Sequence, residues 1–248
     1  PKTKTIKDGS GNIVSRTTNS YDSKGQLITV DGPLSGTGDA SYFRYDDIGR
    51  KTWEIGPVNQ AGTRVAAKRE YRDQDSQVTR TLTGSLPSST STSLSVLRDE
   101  RRQYDNYGNT TLIKSGSSNN YKRLTQLSYD KLHRVTCEAT RMNPSAFSNL
   151  PSTCSLGSKG AFGSDRIVRK YYTATSQVRK VIEGYGTTAQ GVEVEMGYTD
   201  NGQIAYRRDG NANQTDYIYD GFDRLYRTTF PDATYETHSY DKNNNLRT

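Results

Sequence analysis

Apolar and polar residues alternate with a period of two through most of the chain, for example in TDYIYD (215–220) and RLYRTTF (224–230). Such alternation predicts half-buried β-strands, and stretches with a helical period are nearly absent. Clusters of Gly, Pro, Asn and Asp interrupt the runs and predict tight turns. These clusters lie at 31–33, 56–62, 115–120, 209–214 and 230–234. The pattern predicts an all-β chain of successive antiparallel hairpins.

A seven-residue phrase, Tyr-Asp-x-x-Gly-(Arg/Gln/Asn)-(Leu/Ile/Val), recurs along the chain and indicates a repeat architecture. Copies that begin with Tyr-Asp start at Tyr21, Tyr45, Tyr104, Tyr129, Tyr219 and Tyr240. Weaker copies start at Tyr172, at Tyr198 and at Arg72, where Tyr71 lies one place early. A tenth copy, KDGSGNI at 7–13, has no tyrosine. We therefore expect each copy to be one hairpin of a long, repetitive β-structure.

The phrase has the chemistry of a type I turn that is closed by a residue in the left-handed region. The Asp side chain can accept a hydrogen bond from the backbone two residues later. The fourth position after the tyrosine must tolerate a positive φ, and Gly, Asn, Asp and His are the types enriched there. This position is occupied by Gly25, Gly49, Ser76, Gly108, His133, Ser176, Gly202, Asp223 and Asn244. We expect only the two serine turns to adjust.

This geometry places each tyrosine opposite the residue six positions later and each aspartate opposite the residue four positions later. The first set comprises Tyr21–Leu27, Tyr129–Val135, Tyr219–Leu225 and Tyr240–Leu246, and the second comprises Asp46–Arg50, Asp130–Arg134 and Asp220–Arg224. Aromatic–aliphatic pairs of this kind contribute ~0.2–1 kcal/mol each. We expect one apolar face with a ladder of stacked tyrosines, and one charged face. The predicted repeat-forming residues are Tyr21, Asp22, Gly25, Tyr45, Asp46, Gly49, Tyr104, Asp105, Gly108, Tyr129, Asp130, Tyr198, Gly202, Tyr219, Asp220, Tyr240 and Asp241.

Composition changes this picture in one respect, the thickness of the core. Leu, Ile, Val and Phe make up about 17% of the 248 residues, below the ~20% at which disorder becomes a competing interpretation. The mean hydropathy of −0.91 points the same way. The 18 tyrosines favour order, because disordered chains are poor in aromatic residues. We expect an ordered protein without a thick aliphatic core.

The tyrosine phrase with its spacing resembles the YD repeat of the RHS (rearrangement hotspot) family, most closely in YRRDGNANQTDYIYDGFDRL (206–225) and TTFPDATYETHSYDKNNNL (228–246). The resemblance covers the chain except an insert at 136–168. It implies a β-sheet ribbon that spirals into a hollow shell around a C-terminal toxin, as in bacterial polymorphic toxins, Tc toxins and, for related YD repeats, teneurins. The implied partners are flanking RHS repeats and the enclosed toxin of the same polypeptide.

The resemblance also bears on the extent of the chain. Family shells often carry an aspartyl self-cleavage core with a DPxGL-type sequence just before the toxin. This sequence contains no Asp-Pro and therefore no such motif. We interpret residues 1–248 as a single repeat region that is an internal piece of a longer, exported bacterial protein. The chain has no apolar window of membrane-spanning length, and its first residues show no signal-peptide core.

The insert contains the two cysteines of the chain, Cys137 and Cys154. We expect them to form a disulfide that closes a surface loop, which in the chain-entropy description contributes ~3 kcal/mol; two unpaired thiols are the alternative. Two cysteines with two scattered histidines make no metal-ligand set. A loop of this length can also be a recognition element. A second excursion, the Ser/Thr tract GSLPSSTSTSLS (84–95), is expected to be a flexible connection.

The sequence predicts no enzymatic activity and no cofactor. His133 falls on a turn position and His238 in a polar strand, and common nucleophile, phosphate and metalloprotease motifs are absent. A pair of glycosidase carboxylates stays open as an alternative. The net charge of +7 raises nucleic acid or anionic glycans as partners, but paired charges on a solvated strand face are the simpler interpretation. A cell-surface carbohydrate-binding or adhesion module is the alternative to the shell.

Overall fold

The structure is a computed structural model, and it describes residues 2–59 and 64–247. The strands are β1 (Thr3–Lys7), β2 (Ile13–Tyr21), β3 (Leu27–Asp31), β4 (Ser41–Tyr45), β5 (Lys51–Ile55), β6 (Arg64–Arg72), β7 (Val78–Leu86), β8 (Ser95–Tyr104), β9 (Thr110–Ser117) and β10 (Asn120–Tyr129). They continue as β11 (Val135–Arg141), β12 (Arg166–Tyr172), β13 (Val178–Glu183), β14 (Gly191–Tyr198), β15 (Ile204–Asp209), β16 (Gln214–Tyr219), β17 (Leu225–Thr229), β18 (Tyr235–Thr237), β19 (Ser239–Tyr240) and β20 (Leu246–Arg247). One 3-10 turn spans Pro144–Ala146.

The chain forms two compact units, residues 1–123 and residues 124–248. In the first unit, β1 to β9 follow one another as antiparallel neighbours. In the second unit, the same holds for β10 to β18, and β19 pairs with β20. The predicted fold class, an all-β arrangement of repeated antiparallel hairpins, is confirmed.

All nine residues at the fourth position of the phrase have a positive φ, between 60° and 91°. In the turn after Tyr45, the Asp46 N–H donates to the Arg50 carbonyl and the Gly49 N–H donates to the Asp46 carbonyl, both at 3.0 Å. The expectation that the serine turns adjust is wrong, because Ser76 (φ 65°) and Ser176 (φ 69°) keep the same geometry.

The returns between the copies use related turns. Two of them, at 209–213 and 230–234, repeat the turn of the phrase with Ala212 and Ala233 in the left-handed region. The return at 115–120 has Ser118 and Asn119 both at positive φ, as in a two-residue type I′ hairpin. The return predicted at 56–62 lies partly outside the described residues.

The predicted cross-strand tyrosine pairs are present: Tyr21–Leu27, Tyr129–Val135, Tyr219–Leu225 and Tyr240–Leu246. In the weak copy, Arg72 takes the place of the tyrosine opposite Val78, and Tyr71 lies opposite Arg80.

A β-bulge lies beside the first residue of nine of the ten copies, including the one that begins at Lys7, and the sequence prediction did not include it. Tyr45 lies opposite Lys51, whereas Arg44, one residue earlier, lies opposite Trp53. The Thr52 hydroxyl spans this bulge and donates to the Arg44 carbonyl at 3.2 Å. The same bond is made by Thr79, Thr111 and Thr136. Register shifts at the other copies are equivalent, and bulges of this kind increase the local twist of a strand.

The apolar core is small, as the composition predicts. In the first unit, Trp53, Ile55, Ala67 and Leu86 form a buried cluster, against which Leu94 packs. In the second unit, Leu124, Cys137, Ala139 and Ile167 are buried on neighbouring strands. Leu86 is the last residue of β7 and Ile167 is the second residue of β12, so each group includes a residue beside a long loop.

Candidate functional site

Tyrosine hydroxyls join successive hairpins. In six copies the hydroxyl donates to the backbone carbonyl of the residue that ends the preceding phrase. The bonds run from Tyr45 to Leu27 (2.8 Å), Tyr104 to Val78 (2.9 Å), Tyr172 to Val135 (2.8 Å), Tyr198 to Val178 (2.6 Å), Tyr219 to Ile204 (3.0 Å) and Tyr240 to Leu225 (3.0 Å). Burial raises the pKa of Tyr172, Tyr198 and Tyr219, so these hydroxyls stay protonated donors. We call this series of hydroxyl–carbonyl hydrogen bonds the tyrosine ladder; it is a different contact from the ring stacking expected from the sequence.

A second series of contacts joins the turns themselves, through the residue after the left-handed position. Arg50 Nη1 donates to the Asp73 carbonyl (3.2 Å) and to the Ser76 hydroxyl (2.9 Å) of the next phrase. Arg134 makes the same pair of bonds to Thr173 and Ser176. These bonds give the two serines a role that glycine at the same position would lack.

Glutamine does at some turns what arginine does at others. Gln177 Nε2 donates to the Gly202 carbonyl (2.5 Å), and Gln203 Nε2 donates to the Asp223 carbonyl (2.6 Å). A Cβ added to Gly49 would lie 2.9 Å from Gln26 Nε2, so the preceding glutamine packs tightly on this glycine. These turns therefore dock on the next turn of the same unit.

The predicted turn aspartates bind their own turns. Asp130 Oδ1 accepts from the N–H groups of Leu132 and Arg134, and its Oδ2 pairs with the Arg134 guanidinium at 2.7 Å. Asp46 and Asp220 make equivalent pairs with Arg50 and Arg224. The hydrogen bond from the Arg134 side chain, with those from the backbone, lowers the pKa of Asp130. These carboxylates are therefore ionised at neutral pH, and their oxygens already accept hydrogen bonds from their own turns.

The insert is a compact, cross-linked loop. Its strand residues belong to β11 and β12, so the excursion proper spans residues 142–165, within the predicted 136–168. Cys137 and Cys154 form the predicted disulfide, with Cα atoms 5.5 Å apart. The sequence prediction did not identify the polar centre of this loop, which is a buried ion pair between Arg141 and Asp165 at 2.7 Å.

The Arg141 guanidinium gathers the insert around itself. It donates to Gln126 Oε1 at 2.6 Å, and it also donates to the carbonyls of Ser152 (2.9 Å) and Ser155 (2.7 Å). Asp165 accepts from the N–H groups of Met142 and Gly157, both at 2.8 Å. Burial alone would raise the pKa of Asp165, but these N–H groups and Arg141 outweigh it and lower the pKa.

The Ser/Thr tract is held by the same device, so its expected role as a flexible connection is wrong. Arg44 Nη2 donates to the carbonyls of Ser89 (2.5 Å) and Ser91 (2.7 Å). Leu86 is buried and Leu94 packs against Trp53 and its neighbours. In both units an arginine on a strand donates to backbone carbonyls of a long loop.

The remaining candidates for chemistry have structural positions. His133 adopts φ 60° at its predicted turn position. His238, predicted within a strand, lies between β18 and β19, where its N–H donates to the Tyr226 carbonyl at 2.8 Å. Within residues 2–59 and 64–247, no group of three or more His, Cys, Asp or Glu side chains could hold a metal ion. No helix in the same residues has the length and apolar character needed to cross a membrane.

No protein-family model and no curated protein matches the chain. Among solved structures, the chain is similar to one from a TcdB2-TccC3-Cdc42 crystal, with 15% identity, a TM-score of 0.35 and coverage of 98% of this chain and 14% of that chain. A Photorhabdus luminescens Tc holotoxin pore carrying a TccC3 variant is 13% identical, with a TM-score of 0.46 and coverage of 96% of this chain and 14% of that chain. A porin-like protein from Bacteroides uniformis is 12% identical, with a TM-score of 0.29 and coverage of 91% of this chain and 92% of that chain. The fold assignment rests on the strand pairing itself.

Proposed function

We propose that this chain is a segment of an RHS-type wall, a β-sheet ribbon that encloses and helps deliver a toxin carried by the same exported polypeptide. In this proposal the chain is a non-enzymatic structural element. Its partners are flanking repeats and the enclosed segment. The repeat-forming tyrosine, aspartate and glycine residues predicted from the sequence are its functional residues, because they set the spacing and docking of the hairpins.

The observation that carries the proposal is the tyrosine ladder together with the turn-to-turn contacts. Within each unit these contacts recur at the same positions of successive hairpins, so neighbouring hairpins support one another, as in other one-dimensional repeat proteins. A sheet stabilised in this way does not need a thick core on either face. That is the property required of a thin wall with space on one side and solvent on the other.

Limited proteolysis of the full polypeptide encoded by the gene, followed by mass spectrometry, tests this proposal. We expect the segment beyond residue 248 to resist protease while the repeats are folded and to become labile after denaturation. The isolated segment, produced without the repeats, is the control for its intrinsic resistance. Immediate cleavage of that segment while the repeats stay intact would refute enclosure.

The carbohydrate-binding alternative remains a prediction, and one observation weighs against its simplest form. Trp53 is 6% exposed and lies between the guanidinium groups of Arg44 and Arg69, at 5.0 and 4.9 Å from its ring centroid. Its faces are therefore not open for stacking a sugar ring. Loss of glycan binding after substitutions in the insert, with stability unchanged, would favour this alternative.

A further inference from the structure

Three cationic residues lie directly opposite one another on adjacent strands of the first unit. Arg80 on β7 faces Arg101 on β8, and Arg101 faces Lys114 on β9. Adjacent strands are ~4.8 Å apart, and like charges directly opposite each other destabilise a sheet. An anion bound beside such a row would reduce the repulsion between its members.

One carboxylate, Asp99, lies beside this row on β8, and it pairs with Arg80. Arg80 Nε and Nη2 donate to the two carboxylate oxygens at 3.0 and 2.7 Å. The Asp99 side chain is fully buried, and the Tyr121 hydroxyl donates to it at 2.9 Å. Asp99 therefore neutralises one of the three cations and has little capacity left for the others.

Arg101 is only weakly neutralised. Its Nε lies 4.0 Å from Asp99 Oδ1 and makes no hydrogen bond. Its Nη2 donates to Asn119 Oδ1 at 2.9 Å, which anchors one end of the guanidinium. The Arg101 side chain is 40% exposed, so a ligand can reach it from solvent.

Lys114 has an aromatic neighbour and no anionic one. Its ammonium lies 4.6 Å from the centroid of the Tyr121 ring. In the described part of the chain, no carboxylate lies within ion-pair distance of Lys114. Lys114 thus presents an unpaired positive charge, and Arg101 presents one that Asp99 shares only at long range, beside the Tyr121 ring.

The other face of the sheet also carries more cations than carboxylates, but there each named cation contacts a carboxylate directly. Glu70 on β6 pairs with Lys68 (2.6 Å) and Arg72 (2.5 Å), and Glu100 on β8 pairs with Arg98 and Arg102. The row differs in that Lys114 lacks such a contact within the described residues.

We propose that Arg101 and Lys114, with Tyr121 and Asn119 beside them, form a binding site for one tetrahedral oxyanion, a sulfate or phosphate group. A guanidinium and an ammonium together can donate to several oxygens of such a group, and charge-assisted bonds of this type are the strong ones. The guanidinium is already anchored at one end by Asn119, which lowers the cost of binding. The proposal does not depend on the chain being part of a wall.

Thermal unfolding of the whole chain in sodium sulfate and in sodium chloride at equal ionic strength tests the site. We expect sulfate to raise the melting temperature above its value in chloride. Lys114→Gln should melt at the same or a higher temperature than the unmodified chain in chloride, because repulsion is relieved, and should bind sulfate at least about tenfold more weakly. Lys122→Gln, an exposed neighbour, is the matched control and should respond as the unmodified chain does.

Equal effects of the two salts on the unmodified chain would overturn the proposal, and so would an undiminished sulfate response in Lys114→Gln. Should that variant fail to fold, equilibrium dialysis of the unmodified chain with radiolabelled sulfate decides, and no saturable binding overturns the proposal. Dialysis against glucose 6-sulfate distinguishes sources of the group: tighter binding than inorganic sulfate indicates a sugar-borne ester that contacts Tyr121, and equal binding indicates a site for the oxyanion alone.

Discussion

The tyrosine ladder makes a sharp prediction for Tyr219→Phe. This change removes one hydroxyl and leaves the ring opposite Leu225. The lost contact is the 3.0 Å bond to the Ile204 carbonyl, which joins β16 to the preceding hairpin. A neutral hydrogen bond of this kind contributes ~1 kcal/mol net.

The loss should be local, because the ladder joins neighbours only. A cost of ~1 kcal/mol increases the population of a locally opened state by about fivefold. We expect amide hydrogen exchange, followed by mass spectrometry, to accelerate by about that factor in peptides from β15 to β17. Peptides from β11 and β12 should exchange at an unchanged rate.

Tyr226→Phe is the matched control, since Tyr226 lies on the adjacent strand, is 50% exposed and donates no side-chain hydrogen bond within residues 2–59 and 64–247. An equal acceleration in both variants, or none in Tyr219→Phe, would show that the hydroxyl bonds do not join the hairpins. Acceleration spread evenly over the second unit would contradict the nearest-neighbour character of the ladder.

Three further predictions concern the loops. Gly84→Ala should destabilise the first unit by ~3 kcal/mol or more, because the added Cβ would lie 1.9 Å from the Ser95 carbonyl oxygen; chemical denaturation measures this. Asp165→Ala should cost ~3–5 kcal/mol, since it leaves the buried Arg141 without its carboxylate. Reduction of the disulfide between Cys137 and Cys154 should cost ~3 kcal/mol by loop-entropy arguments, measured by denaturation with and without a thiol reductant.

The pH dependence of stability checks the assignment of Asp165. Its pKa is lowered in the folded state, so its contribution is present above the unfolded value of about 3.9 and is lost as pH falls through the folded value below that. The unmodified chain should therefore lose more stability than Asp165→Ala on acidification below about pH 4. Asp200→Ala, at an exposed position, should track the unmodified chain, and identical acid profiles for all three would contradict the assignment.

The turns could be predicted from the sequence because they are local. A turn of five residues is determined by which residue tolerates a positive φ, and this criterion identified Gly49, His133 and Asn244 alike. The same criterion does not explain why serine occupies this position at Ser76 and Ser176. There the decisive contact comes from an arginine 26 or 42 residues away.

The bulges have a sequence signature of their own, which the turn pattern does not include. Thr52, Thr79, Thr111 and Thr136 all occupy the seventh position after the first residue of their copies. A hydroxyl repeated at one register position indicates a recurring bond to the backbone, and it could have located the bulges.

The polar centres of the two units depend on long-range register and could not be predicted. Arg141 and Asp165 are 24 residues apart and meet only because the insert folds back on β11. The row of Arg80, Arg101 and Lys114 exists only in the register that the long strands β7, β8 and β9 adopt. A shift of one residue would send these side chains to the other face.

The central claim, that the chain is part of an enclosing wall, is tested most directly by cryo-electron microscopy of the full polypeptide encoded by the gene. The account predicts a map in which residues 2–247 are a section of a curved sheet, with density for another segment of the same polypeptide on the enclosed side. A map in which both faces of this sheet are open to solvent, with the remaining segments folded elsewhere, would contradict it.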